Sequence, residues 1–340
     1  MRKWLSPFLY ATGYFNRHRD ARSSGGGFTV VLCYHRVTQR DAGSGLLTVE
    51  RGLAPGVFEA QIRFMLRRFE PILPREIPDA GGRAPLRFAV TFDDGYEDNA
   101  TVAVPILERL GVKAAFYVVT EFVGTDRRFW WERLAAMLRA TRLQTLDMHG
   151  LVPGFARDSR RRPALLKIAD ANDKEQAHRM LCDALRPLPP DELADTVERL
   201  QERFGVRVSE QGRDFPLMDW DRLRALSRRG FEVGCHTANH HNLDTASAAL
   251  VSEEVVGAAR RMKAELGEAP RTFAYPYGFC SRHAADVVRD AGFSLAFAEG
   301  SGVVDGRSSP YALPRVELNR RWPFAVSYNI HSALVGASAG

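Results

Sequence analysis

The chain has 340 residues, of which 45% are hydrophobic and 26% are charged, so it can bury a full core as one large domain or two small ones. Lys and Arg outnumber Asp and Glu by 47 to 41, which gives a net charge of +6. The arginines are scattered rather than gathered in a basic stripe, so we expect no nucleic-acid partner.

The N-terminal segment, residues 1–27, has a basic start and an apolar part that is interrupted by Pro7, Gly13 and Asn16. It contains no clean small-residue cleavage site, so we do not expect secretion. The segment could form an amphipathic helix that either packs on its own domain or touches a membrane surface. No uninterrupted apolar run approaches the roughly 20 residues that a membrane-spanning helix needs.

The four cysteines, Cys33, Cys182, Cys235 and Cys280, are far apart and form no CxxC pair. This spacing favours reduced, buried thiols over a disulfide framework or a cysteine zinc site. We therefore expect a cytoplasmic protein, and leave open a peripheral position at the inner face of the membrane.

Strand and helix patterns alternate along most of the chain. Strands are predicted at 28–34, 88–92, 114–119, 231–235, 272–275 and 293–297. Helices are predicted at 57–69, 101–110, 219–230, 247–266 and 283–291, and Asp219 is expected to cap the third of these. This alternation favours a parallel α/β sheet or barrel that is covered by helices.

Residues 121–215 interrupt the alternation. They are rich in Arg, Leu, Ala and Glu and show helical patterns without a convincing strand, so we interpret them as a largely helical insertion. The barrel domain would then be discontinuous, comprising residues 28–120 and 216–340. Phe129, Trp130 and Trp131 could pack the insertion onto the barrel or stack on a sugar ring.

Polar residues follow the predicted strands at their carboxyl ends. They are His35, the pair Asp93 and Asp94, His236, and Tyr277. Because the carboxyl ends of parallel strands meet at one rim, where α/β enzymes build their active sites, we expect these side chains to lie together.

The stretch HTANHH predicts a metal site. Histidines four apart on a helical turn face the same way, so His236 and His240 can reach one cation, with Asp94 as a third ligand. Two imidazoles and a carboxylate are a common zinc set, so we expect Zn²⁺ first, and Co²⁺, Ni²⁺, Mn²⁺ or Fe²⁺ could use the same set. Without the histidines, the DDG stretch would be read as an ordinary turn.

Asp93 is the predicted general base. Neighbouring side chains on an extended backbone project differently, so Asp94 can bind the cation while Asp93 points to a water that the cation activates. The cation also relieves the repulsion between the two carboxylates. Together these groups predict hydrolysis of a carbonyl compound.

With these motifs assembled, the chain resembles the polysaccharide deacetylases of the NodB-homology type, carbohydrate esterase family 4. The motifs TFDDG, WDRLRAL, GFEVGCH, HTANH and FAYPYG occur in the family's order and cover about residues 30–120 and 217–319. The resemblance implies a distorted (β/α) barrel that removes acetyl groups from N-acetylated sugars with a bound metal. It assigns Asp93 as the base and the Tyr277 backbone N–H as the donor to the oxyanion.

The sequence departs from the family's pattern at three places. Ala274 stands where the family's R-x-P-Y motif has an arginine that orients the base, and we predict that Arg315 replaces it, with Arg271 as the second candidate. His241 replaces the proline that usually follows the second metal histidine. The family's late general-acid histidine has two candidates, His331 and His35, which the sequence does not separate.

The predicted function is metal-dependent removal of N-acetyl groups from N-acetylhexosamine units of a polysaccharide, oligosaccharide or lipid-linked glycan. Two alternatives stay open at this point. One is hydrolysis of a non-sugar amide on the same barrel, since neither the metal ligands nor the base recognises a glycan. The other is a carbohydrate-binding or assembly protein without turnover.

Overall fold

A closed ring of seven parallel strands organises the fold. The structure is a computed structural model that describes residues 27–39, 47, 52–79, 86–152, 165–212, 214–300 and 302–318. Its strands are β1 Thr29–Tyr34, β2 Glu70–Ile72, β3 Arg87–Phe92, β4 Ala115–Val118, β5 Thr145–Asp147, β6 Leu165–Lys167, β7 Glu232–Cys235, β8 Thr272–Ala274, β9 Leu295–Glu299 and β10 Leu313–Glu317. The order around the ring is β1-β10-β9-β8-β7-β4-β3, and β3 pairs back to β1.

The short strand β2 lies on the ring rather than in it. It pairs with the first half of β3, at Arg87–Ala89, while β4 pairs with Thr91 and Phe92 on the same side of that strand. The ring is therefore the (β/α) barrel that the resemblance implied, and one of the two arrangements, sheet or barrel, that the alternating pattern favoured. Neither β2 nor β10 was predicted from the sequence.

Helices cover the outside of the barrel and fill the long excursion between β4 and β7. They are α1 Pro55–Leu66, α2 Val104–Arg109, α3 Trp130–Ala140, α4 Ala171–Leu185, α5 Pro190–Phe204, α6 Trp220–Arg228, α7 Ala248–Ser252, α8 Ala258–Leu266 and α9 Arg282–Asp290. A π-helical turn at Asn99–Ala103 precedes α2, and another at Glu253–Gly257 joins α7 to α8. As predicted, Asp219 caps α6, and its carboxylate accepts a hydrogen bond from the Arg222 N–H.

The strands are buried on both faces, so alternate side chains enter two different apolar clusters. Phe88, Val90 and Phe92 of β3 belong to the large cluster beneath the covering helices. Ala89, together with Val31, Tyr117 and Phe297 from other strands, belongs to a smaller cluster inside the barrel. Odd-numbered positions of β3 therefore face the barrel interior, which directs Thr91 and then Asp93 inward.

The segment between β4 and α6 has its own apolar core. Helices α3, α4 and α5 enclose a cluster that includes Leu134, Leu181 and Leu200, separate from the cluster under the barrel helices. The segment also contains an antiparallel pair, β5 with β6. The largely helical character was predicted, whereas these two three-residue strands were missed because neither is long enough to show a period-two pattern.

The remaining sequence predictions concern the N-terminal segment, membrane-spanning helices and the cysteines. The N-terminal segment lies outside the described residues, apart from residue 27. Among the described residues, none of the helices combines the length and apolar character that crossing a bilayer requires. All four cysteines are free thiols, and three of them are buried.

Candidate metal and catalytic centre

The predicted ligand atoms come together at the carboxyl rim of the barrel. Asp94 Oδ1 lies 3.7 Å from His236 Nε2 and 3.5 Å from His240 Nε2, and the two imidazole centroids are 4.8 Å apart. All three side chains are buried. His236 Nδ1 donates a hydrogen bond of 2.7 Å to the carbonyl oxygen of Ala274, which leaves the lone pair of Nε2 directed at the cluster.

These residues fit a divalent cation. Among the described residues, no hydrogen-bond donor reaches Asp94 Oδ1, although the atom is buried. Burial raises the pKa of the Asp94 carboxyl and lowers that of His240, where the neighbouring His236 adds to the effect. A cation bound between them would give the carboxylate oxygen its missing partner, and a neutral imidazole is the form that binds metal.

Left-handed backbone turns create this convergence. Within the described ranges, the non-glycine residues with positive φ are Asp94 (72°), Thr237 (68°), His240 (64°) and Tyr277 (59°). All four lie in the loops that follow β3, β7 and β8 at the carboxyl rim, which form the centre. Such conformations cost of order 1–3 kcal/mol each and persist only where the surroundings hold them. The predicted helical turn from His236 to His240 is wrong, because an irregular loop brings the two imidazoles together.

Gly95 makes the turn after the two carboxylates. Its φ is 77°, and a Cβ at this position would lie 3.1 Å from Val118 Cγ1. Both the backbone conformation and the close approach to β4 therefore favour glycine here.

Asp93 is paired with Arg315. Arg315 Nη1 donates to Asp93 Oδ1 at 2.7 Å and Nη2 donates to Oδ2 at 2.6 Å, in a bidentate and buried arrangement. Burial on its own raises the pKa of the Asp93 carboxyl, but the Arg315 guanidinium and nearby His236 outweigh it and hold the pKa well below its usual range. The Cys33 thiol lies 3.6 Å from Oδ2 as a weak donor.

The two arginine candidates differ in position. Arg315 lies on β10 and reaches the base from the neighbouring part of the barrel. Arg271 is exposed and precedes the amino end of β8, at the opposite end of the barrel from the centre, so it does not meet Asp93.

His35 also lies at the centre. One of its ring nitrogens is within 4.8 Å of a carboxylate oxygen of Asp93 and of Cys33 Sγ. Burial lowers the pKa of His35, but the carboxylates of Asp94 and Asp93 outweigh it, and the net shift is upward. The other candidate acid, His331, lies outside the described residues.

Tyr277 lies in the turn after β8, and its ring packs edge-to-face on His240 with centroids 4.7 Å apart. Trp130 Nε1 donates a hydrogen bond of 2.8 Å to the Tyr277 hydroxyl. Phe129 is buried, whereas Trp130 and Trp131 are half-buried. Phe129 belongs to an apolar cluster with Tyr96 and Val119 of the barrel. It therefore packs the segment onto the barrel, which is one of the two uses that the sequence left open.

Two buried residues that were not predicted from the sequence, Glu254 and Asn99, hold the loops of the centre. Glu254 accepts hydrogen bonds from Asn239 N–H at 2.8 Å and from Asn239 Nδ2 at 2.9 Å, and His241 Nδ1 lies 3.2 Å from its Oε1. Asn99 Nδ2 donates to the carbonyl oxygen of His35 at 2.8 Å. Each lies in one of the π-helical turns, which often occur at functional sites, but no sequence pattern marks such a turn.

Known proteins resemble this chain in sequence and fold. A family model described as polysaccharide deacetylase matches residues 83–180 and 190–296. Among curated proteins, the polysaccharide deacetylase candidate YxkH of Bacillus subtilis (strain 168) is 30% identical over 70 residues, which are 19% of this chain and 25% of that protein. The chain thus matches about a quarter of the length of that relative.

Two solved structures share the fold. The Streptococcus pyogenes deacetylase PplD, solved in complex with acetate, aligns with a TM-score of 0.56 and 15% identity over 91% of this chain and 99% of that chain. IcaB from Ammonifex degensii aligns with a TM-score of 0.54 and 19% identity over 89% of this chain and 97% of that chain. At these identities the similarity establishes the barrel fold.

Proposed function

The chain belongs to the polysaccharide deacetylase family, and from this premise we propose that it is a metal-dependent hydrolase that removes N-acetyl groups from N-acetylhexosamine units of a glycan. A polysaccharide, an oligosaccharide and a lipid-linked glycan all carry this group. The observation that carries the proposal is the contrast between two adjacent carboxylates. Asp93 is fully paired with Arg315, and Asp94 Oδ1 faces two imidazoles without a hydrogen-bond donor among the described residues.

Asp94, His236 and His240 are the residues that would hold the cation. When bound, a divalent cation such as Zn²⁺ supplies Lewis acidity toward an amide carbonyl and promotes the ionisation of water. The burial of the three side chains keeps bulk water from competing for these positions.

Asp93 acts as the general base in this proposal. Its carboxylate accepts the proton of the water that attacks the acetamide carbonyl carbon. Arg315 binds both carboxylate oxygens, so it keeps Asp93 ionised and fixes the direction in which the carboxylate faces.

Tyr277 and His35 complete the proposed reaction. The backbone N–H of Tyr277 donates a hydrogen bond to the oxyanion that forms on the carbonyl oxygen. His35 gives a proton to the sugar nitrogen as the C–N bond breaks, and its nearness to Asp93 and Asp94 favours the protonated imidazole. The products are acetate and the free amine.

The comparisons support acetyl removal as the reaction class. The Streptococcus pyogenes relative is a deacetylase whose structure contains acetate, which is the product that this proposal requires here. The half-buried rings of Trp130, Trp131 and Tyr277 beside the ligands provide the type of surface on which sugar rings stack.

Acetate release from N-acetylglucosamine oligomers tests the proposal. The purified chain is supplied with Zn²⁺, then treated with a chelator, then resupplied, and acetate is measured at each stage. We expect release that the chelator abolishes and added metal restores. A matched panel of N-acetylated amino acids tests the non-sugar alternative. Activity on that panel without activity on the oligomers would contradict the glycan assignment. Metal-loaded protein that acts on neither substrate class would favour a binding role.

A further inference from the structure

The first turn of α3 contacts three different loops of the centre through three consecutive residues. Trp130 reaches the turn that carries Tyr277, Trp131 reaches the metal-ligand loop at His240, and Glu132 reaches the turn that follows Asp94. Helix α3 lies in the segment between β4 and α6, outside the strand-end motifs that supply the predicted ligands and base.

The Trp130 contact fixes a strained turn. Tyr277 has a φ of 59°, a conformation that a residue with a side chain adopts only when its surroundings hold it. The indole N–H of Trp130 donates to the Tyr277 hydroxyl at 2.8 Å, and the Trp131 ring meets the Tyr277 ring edge-to-face at 6.4 Å. The side chain of Tyr277 is therefore held from the α3 side while its backbone N–H is left for the proposed oxyanion.

The Trp131 contact supports a ligand imidazole. The Trp131 ring lies 4.8 Å from the His240 ring at 62°, and its own face stacks on Phe129 at 4.5 Å and 5°. Phe129 stacks in turn on Phe122 at 4.4 Å and 7°. The imidazole thus abuts the end of a column of three parallel rings, which resists displacement of His240 toward α3.

The Glu132 contact ties α3 to the aspartate turn. Glu132 Oε1 accepts a hydrogen bond of 2.7 Å from the Tyr96 hydroxyl, and Oε2 accepts one of 3.1 Å from the Phe129 N–H at the start of α3. Glu132 is 4% exposed and Tyr96 is 2% exposed. Burial of a carboxylate is unfavourable unless its oxygens are partnered, and here both partners lie where α3 meets the loop two residues after Asp94.

We propose that Trp130, Trp131 and Glu132 are positioning residues for the centre, and that the first turn of α3 holds the loops of Tyr277, His240 and Asp94 in their working arrangement. The helical segment between β4 and α6 is then a structural part of the active centre. The catalytic part of the inference rests on the proposed deacetylation, whereas the metal-binding part does not.

Cobalt affinity tests the inference independently of turnover. Metal-free full-length protein is titrated with Co²⁺ and the visible absorption of the bound ion is followed. We expect Trp131→Leu and Glu132→Ala to lower the Co²⁺ affinity about 10-fold or more, as is usual when a residue that supports a ligand is removed. Trp131→Phe and Glu132→Gln, which can keep the ring contact and the hydrogen bonds, should recover most of the affinity.

Two further variants guard against simple misfolding. Tyr96→Phe removes one hydroxyl, leaves the fold intact and should weaken Co²⁺ binding roughly two- to tenfold, the value of one buried hydrogen bond. Trp220→Phe makes a tryptophan-to-phenylalanine change on α6, outside the barrel, and should leave the affinity unchanged. If Trp131→Leu, Glu132→Ala and Tyr96→Phe all bind Co²⁺ as tightly as the parent and lower only the unfolding temperature, the contacts are mere packing and the inference is wrong.

Kinetics test the Trp130 contact. Trp130→Phe and Tyr277→Phe each remove the same hydrogen bond, so each should lower kcat for acetate release about tenfold with little change in KM, and the double variant should lose no more than either single variant. Additive losses would contradict the proposed coupling. A parent protein that deacetylates no glycan, but shows the predicted Co²⁺ shifts, would overturn the proposed function while supporting the positioning role of Trp131 and Glu132.

Discussion

Two buried carboxylates at opposite ends of the barrel, Glu232 and Asp94, differ in their hydrogen-bond partners. At the amino end of β7, Glu232 accepts hydrogen bonds from Thr272 Oγ1 at 2.6 Å and from the Arg75 N–H at 3.1 Å, so each carboxylate oxygen has a donor. At the carboxyl end of the same strand, His236 faces Asp94, whose Oδ1 has no hydrogen-bond donor among the described residues.

This difference separates structural from functional burial. Burial raises the pKa of both Glu232 and Asp94. Glu232 offsets the cost with donors that the fold supplies, and Tyr117 extends the network by donating to Thr272 at 3.0 Å. A protein that leaves a buried oxygen without a donor beside two imidazoles retains the place for a cation at the expense of stability in the metal-free state.

The largest expected effect concerns the base at the rim. Asp93→Asn removes the proton acceptor and keeps the ligand set, so kcat for acetate release should fall about 10²–10⁴-fold. Zn²⁺ affinity should stay close to that of the parent. Glu232→Gln, the matched change at the opposite end, should leave kcat unchanged, and equal losses in both variants would erase the distinction between the two ends.

The second effect concerns the ion pair between Asp93 and Arg315, a partner that Asp94 lacks. Arg315→Met leaves the Asp93 carboxylate buried without its partner, so the free energy of unfolding should fall by about 3–5 kcal/mol. Urea denaturation measures the change. The double variant Asp93→Asn with Arg315→Met should recover part of the loss, and a double variant that is less stable than Arg315→Met alone would show that the pairing is not the cause.

A third buried carboxylate, Glu132, lies near the rim and has a hydrogen-bond donor on each of its oxygens. Burial raises the pKa of Glu132 from 4.5 to about 7 despite its two hydrogen bonds. The folded state therefore binds this proton more tightly than the unfolded state does. The resulting stabilisation of the fold is complete below pH 4.5 and is lost as the pH rises through 7. Relative to Glu132→Gln, the metal-free parent should lose about 3 kcal/mol of unfolding free energy between pH 4 and 8.

Glu132→Gln is the matched control for this pH effect, because its amide does not titrate. Urea denaturation of the parent and of Glu132→Gln at several pH values gives the difference in unfolding free energy. A difference that does not change over this range, or that grows in favour of the parent as the pH rises, would contradict the buried position of this carboxyl.

The smallest effect contrasts Asp94 and Glu232 directly. In the metal-free protein, Asp94→Asn removes a buried charge and adds an amide donor beside two imidazole nitrogens, so the unfolding free energy should rise by about 1–2 kcal/mol. Glu232→Gln replaces an acceptor that faces two donors and should lower it by about 1–2 kcal/mol. Thermal unfolding after chelation measures both changes, and the same sign for both would refute the contrast.

Residue patterns predicted the parts of the centre that lie at strand ends. The apolar runs that end at Phe92 and Cys235 placed the aspartate pair and His236 at one rim, because parallel strands share their direction. The strand boundaries differ by one or two residues from the structure, as hydrogen bonding and not hydrophobicity ends a strand. The alternation predicted a parallel sheet or barrel, and the family resemblance was needed to choose the barrel.

Other features depend on contacts that no local pattern records. Arg315 was only a candidate, because β10 was not predicted and its inward register follows from pairing with β9 and β1. His240 faces His236 through a left-handed turn where a helical one was expected. Glu254 and Asn99 form hydrogen bonds with residues that are 15 and 64 positions away in the sequence, so only the folded chain shows which loops they hold.

Calorimetric titration with Zn²⁺ shows whether Asp94 is a metal ligand. We expect the metal-free parent to bind one Zn²⁺ per chain and Asp94→Asn to weaken this binding by at least about 10-fold, while Glu232→Gln binds as the parent does. A parent that binds no Zn²⁺, or an Asp94→Asn variant with parental affinity, would show that the unpartnered carboxylate at the rim is not a metal ligand.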